Sequence, residues 1–261
     1  MSAHEPIAIS LQYQSICCSY HRCNGGAFVT AVMLDPVFSV AAAGLSAGLA
    51  KQAEEVLESA ITRSELKRAE TVVKHLAEVM ERRIQNGERL RPDFAISDSE
   101  TTPIGLEQLE AIVQKARASY EERKLPYMGN LYANVALDQS VSRTEANHLV
   151  LLSESLTFSQ YGLLRLFAQH GSIPLREHRL DELPGVTTEQ WSLYELCADL
   201  WNRRLIKRLM RGSSDNYETE LGQNGIIPAD VQLTTFGERV HDTLGLHTMP
   251  ELDYMYMAPI I

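Results

Sequence analysis

The chain has 261 residues, 24 Lys/Arg against 34 Asp/Glu, a net charge of −10, and 44% apolar residues. That length suits one large or two modest domains with a real core, and the composition is ordinary for a globular protein. The acidic balance argues against broad, sequence-independent affinity for nucleic acid, because neutralising phosphates needs a surplus of Lys and Arg, although a local basic patch stays allowed.

Residues 1–32 lack helical periodicity and contain CCSYHRC. Cys17, Cys18, His21 and Cys23 are the metal ligands to weigh, but four candidates within seven residues, with no distant second pair, make a poor tetrahedral cage. The segment is therefore read as a disordered or mis-assigned N-terminal arm, with Met33 as the alternative start. Three clustered cysteines and a lone Cys197 are not a secreted disulfide pattern, and no signal peptide opens the chain, so a reducing cytoplasm is expected.

Residues 33–86 form the first helical region. The apolar run 27–50 is divided by Asp35-Pro36 into pieces of 8 and 14 residues, short of the roughly 20 a membrane helix needs. Asp35 is placed to cap a helix with Pro36 in its first turn. Gly44 and Gly48 form a GxxxG spacing, read as close helix packing or, alternatively, as membrane contact. Beyond it, Leu57, Ile61, Ala69, Val73, Leu76, Met80 and Ile84 recur at helical spacing along one amphipathic helix.

Gly87, Pro92, Pro103 and Gly105 punctuate residues 87–104, which read as a linker. Helical bundle periodicity resumes over 105–155 with Leu106, Leu109, Ile112, Val113, Ala116 and Tyr120, and Pro126 breaks or restarts the helix. Ser142/Glu145 and Thr157/Gln160 carry capping-box spacing, and Gly171 ends the second of these helices.

No constellation for catalysis stands out. The chain lacks a P-loop, a Rossmann glycine fingerprint and HExxH. Its histidines are scattered, and His241-Asp242 are helix neighbours not expected to face each other. No enzyme, cofactor or metal is expected.

Residues 156–248 carry the element order helix, strand, long loop, strand, short helix, with 249–261 as a tail. The fold class is accordingly mainly α, a helical bundle with a C-terminal winged-helix-like (α+β) module. Trp191, Tyr194, Cys197, Leu200 and Trp201 form an apolar stripe whose expected role is core. In a winged helix this helix faces the groove, yet its exposed positions are expected to keep Glu189, Glu195 and Asp199. Arg203, Arg204, Lys207, Arg208 and Arg211 make a basic cluster where the wing begins. Strand alternation places Lys207, Leu209 and Arg211 on one face and Arg208 on the other. The cluster reads as an edge paired with nearby carboxylates, or as a phosphate or acidic-partner contact. The following loop is acidic through Asp215, Glu218, Glu220 and Asp230, and residues 150–250 hold 9 Lys/Arg against 13 Asp/Glu, a local charge of −4.

The segments LPYMGNLYANVALDQSVSRTEANHLVLLSESLTFSQYGLL and LTTFGERVHDTLGL resemble helical bacterial proteins of uncharacterised function, and more distantly the abortive-infection alpha type. The resemblance covers roughly residues 120–246 and rests on helix pattern. It implies a bacterial cytoplasmic protein linked to phage defence, and carries over no catalytic residue. The leading expectation is a non-enzymatic, mostly helical protein in which an amphipathic helical region serves self-association or regulation and the winged-helix-like module contacts protein. The alternatives are a DNA-binding transcriptional regulator using the basic cluster, and a defence effector engaging membrane through residues 35–50.

Overall fold

A computed structural model describes residues 62–95, 103–179, 185–209 and 226–261. Within them lie eight α-helices and one small antiparallel pair of strands. Cys17, Cys18, His21, Cys23, Gly44, Gly48, Arg211 and the acidic loop residues 215–220 lie outside the described residues, as does residues 35–50 as a whole. No helix among the described residues is long and apolar enough to cross a membrane.

Helix α1 (Arg63–Gln85) starts at Thr62, whose hydroxyl accepts from the Glu65 amide while the Glu65 carboxylate takes the Thr62 N–H. This reciprocal cap satisfies two donors that the first helical turn leaves without partners. The Thr62 bonds hold the Glu65 carboxyl below its ordinary pKa. Ala69, Val73, Leu76 and Met80 are buried as their spacing predicts, joined by Val72 and Ala77. Ile84 is only partly buried.

Helix α2 (Pro92–Ala95) is one short turn, and α3 (Ile104–Ala118) buries Leu109, Ile112, Val113 and Ala116. Tyr120, expected to extend that stripe, lies past the helix end and is 85% exposed. Between α1 and α3, Arg91 and Phe94 are tied to the core. Phe94 is fully buried edge-on to Tyr132 at 5.2 Å. Arg91 is buried, with two 2.7 Å bonds to Asp93 and a third to the Val141 carbonyl at 2.5 Å.

Helix α4 (Leu125–Leu137) has Pro126 in its first turn, where a missing N–H costs nothing, so the proline restarts the helix. It is buried nearly all round, which marks a central helix. Helices α1 and α4 make the most extensive packing in the fold, and α3 joins both. They approach closely at Gly129, where a Cβ would lie 2.9 Å from His75 Cδ2 and 3.1 Å from the Leu76 nitrogen.

Helix α5 (Arg143–Ser155) is capped by Ser142, but the Glu145 carboxylate, instead of returning to the cap, binds Arg239 at 2.9 Å. Helix α6 (Phe158–Phe167) carries the full Thr157/Gln160 box. It ends before Gly171, which takes φ +78° in the turns beyond.

Helix α7 (Thr188–Asn202) leads to strand β1 (Ile206–Arg208). Strand β2 (Val231–Leu233) pairs with β1 in the register Ile206↔Leu233, Lys207↔Gln232 and Arg208↔Val231. Helix α8 (Thr235–Thr243) and three 3-10 turns, at 246–248, 251–253 and 255–257, complete the chain. Tyr254, Met257 and Ile261 bury against the rest.

Candidate interaction surface

The basic cluster follows the end of α7. The Leu205 N–H bonds the Leu200 carbonyl at 2.9 Å and the Arg204 N–H bonds the Trp201 carbonyl at 2.7 Å. This pair of bonds closes a helix through one left-handed residue, normally glycine. Here that residue is Arg204, at φ +59°, the only non-glycine with positive φ among the described residues. A left-handed conformation costs an L-residue about 1–2 kcal/mol.

The turn is stitched to α8. The Thr234 hydroxyl donates to the Arg204 carbonyl at 2.7 Å and accepts from the Gly237 N–H at 2.9 Å, capping α8. At Gly237 a Cβ would sit 1.9 Å from the Leu205 carbonyl oxygen, so only glycine fits.

Two of the four described basic residues are held by carboxylates. Arg203 Nε donates to Asp199 Oδ2 at 2.8 Å and its Nη1 donates to the Ser155 hydroxyl at 2.8 Å. Arg208 reaches Asp230 at 3.5 Å. Arg204 and Lys207 are exposed and have no ion pair among the described residues. On β1, Ile206 is buried while Lys207 and Arg208 are both exposed, in a strand of only three residues.

Asp199 keeps a side chain that is 42% exposed, while accepting from Arg203 and from the Gln160 amide of α6, 2.7 Å away. One expectation needs correction. Asp230 is not part of an exposed acidic loop but is buried in the turn before β2.

The buried side of α7 is Leu193, Cys197 and Leu200, not the whole aromatic stripe. Tyr194 and Trp201 are half-buried, and Trp191 is 43% exposed, standing edge-on to Tyr194 at 5.7 Å. The solvent face therefore presents Glu189, Trp191, Ser192 and Glu195. Burial pushes the Cys197 thiol up to about 12, so it stays protonated and is a poor nucleophile. The T-x-x-Q spacing at Thr187/Gln190 forms a further capping box at the start of α7, readable by the same rule as its neighbours.

Beneath this module lie polar residues that sequence periodicity did not single out. Asn130 and Asn134, one turn apart on α4, donate to the last carbonyls of α8: Asn130 to Leu244 at 3.1 Å, Asn134 to Thr243 at 2.7 Å. Their amide oxygens are held from α1 by His75, at 2.9 Å, and by Arg83. The signal for this bridge was two amides four apart in an otherwise apolar helix, MGNLYANVA.

His241 and Asp242, not expected to face each other, are in contact: Asp242 Oδ1 curls back to His241 Nδ1 at 2.9 Å. No cluster of three metal-ligating side chains occurs among the described residues. Comparison with protein-family models, curated proteins and solved structures finds no match.

Proposed function

We propose that this chain is a non-enzymatic interaction protein of a reducing cytoplasm, which binds protein through a winged-helix-like C-terminal module and self-associates there. The observation that carries the reading is the solvent face of α7, where Glu189 and Glu195 flank the exposed Trp191. In the helix, strand, strand, helix order of a winged helix, this face is the one that would meet a groove. Carboxylates repel phosphates, whereas a half-exposed tryptophan ringed by polar groups is the residue type that anchors protein interfaces. Arg203 and Arg208, already paired with Asp199 and Asp230, add little for a phosphate to gain. Light scattering on the full chain is the test. Mass above 29.2 kDa that falls towards it in Trp191→Ala supports the reading, and a monomer at every concentration sinks it.

A second reading, a DNA-binding regulator, draws on Arg204 and Lys207, which stand exposed at the foot of the strand pair. Arg204 is kept where glycine would be less strained, and such strain concentrates at functional positions. It predicts duplex binding that weakens steeply with salt and is lost in Arg204→Ala/Lys207→Ala. No mobility shift at low salt excludes it. Membrane engagement through residues 35–50 is tested by flotation with liposomes, and a role in phage defence by challenge of a strain lacking the protein.

A further inference from the structure

His241, on α8, is buried with half of its hydrogen-bonding capacity unused. It is 7% exposed, and its Nε2 is buried with no hydrogen-bond partner. Its Nδ1 faces the Asp242 carboxylate at 2.9 Å, and since a carboxylate only accepts, Nδ1 carries the proton. Nε2 is then a bare lone pair, the only site where a second proton can bind.

The surroundings resist that proton. From α6, Arg165 faces His241; its own Nε is buried without a partner, and its guanidinium lies over the Tyr254 ring at 5.6 Å. From the turn at 246–248, the His247 ring sits 6.5 Å away. Helix α4 contributes the uncharged Asn130 and Asn134 to its contact with α8, and β2 has no titratable residue. On α8 itself, Glu238 is exposed, and Asp242, the one nearby anion bonded to the ring, is 76% exposed and screened by water. Burial first, with Arg165 and His247 adding to it and Asp242 opposing, keeps the His241 pKa below its ordinary value.

The same groups fasten the chain's last segment. Tyr254, fully buried under Arg165, donates its hydroxyl to Gln169 at 3.1 Å, and the terminal methyl of Met257 packs against α6 in the space beside Gly162. A charge at Nε2 would have no acceptor and would repel Arg165, which is part of the seat of Tyr254. We propose that His241 is the trigger of an acid-responsive latch, protonation of its Nε2 releasing residues 246–261 from α6 and α8.

The sign follows from proton linkage. Below about pH 6.5 the released state binds a proton that the closed state refuses, so closure weakens as pH falls. Hydrogen exchange of the 246–261 amides in the full chain, corrected for intrinsic rate and followed from about pH 8 to about pH 5, reads it. Protection should be flat above about pH 6.5 and then fall by up to tenfold per pH unit. His241→Phe should abolish the slope, and His247→Gln should retain it. A flat profile in the native chain, or an unchanged slope in His241→Phe, overturns the latch. Should His241→Phe not fold, the NMR titration of the His241 ring decides: a midpoint at or above about 6.5 overturns the proposal, and one below supports it.

Discussion

Helices α1 and α4 and the α7–strand pair differ in how they are held. Six residues of α1 and ten of α4 are buried, whereas α7, with 15 residues, buries only three. A fully buried aliphatic side chain contributes about 1.5–3 kcal/mol, so the first pair is fastened by apolar burial. The second buries Leu205, Ile206, Val231 and Leu233 from the strand pair, and adds backbone bonds around Leu205, Thr234 and Gly237 and a helix end closed through Arg204. Such a module keeps a face free, and Trp191 stands on it. Scarce burial in α7 goes with an open surface, while the close approach at Gly237 below it admits no side chain.

The sharpest way to break that contrast is Gly237→Ala. A methyl 1.9 Å from a backbone oxygen cannot be relieved by a side-chain rotation, so urea unfolding should show a loss of about 3 kcal/mol. A loss too small to measure would mean the strand pair yields freely.

Asn130→Ala should cost about 1–3 kcal/mol by leaving the Leu244 carbonyl and His75 without partners, read from the same unfolding curve. Arg204→Gly should do the opposite and raise stability by about 0.5–1 kcal/mol, since glycine relieves the left-handed strain and loses part of the gain to chain entropy. If it also abolishes duplex binding, the arginine is retained for phosphate. Trp191→Ala should cost about 0.5–1.5 kcal/mol through the lost edge-on contact with Tyr194, and should weaken association as well.

Much of the helical skeleton was legible. The stripe Ala69, Val73, Leu76, Met80 and the caps at Ser142 and Thr157 are local features, set by a 3.6-residue period and by hydrogen bonds three residues apart. Reading failed where a distant partner competes. Glu145 has the spacing to complete its cap but meets Arg239, 94 residues away, instead. Trp191, apolar and in phase with the stripe, finds too little facing surface to bury against.

Local order was thus decided by the sequence itself: helix starts, the amphipathic faces of α1 and α3, and the helix, strand, strand, helix order near the end. Only the tertiary structure decided which charges are spent and which remain. Arg203 and Arg208 meet carboxylates while Arg204 and Lys207 stay in water, and His241 is sealed beside Arg165. The physical reason is range: backbone propensity and caps act within a few residues, whereas burial and charge pairing depend on whatever folding brings from elsewhere in the chain.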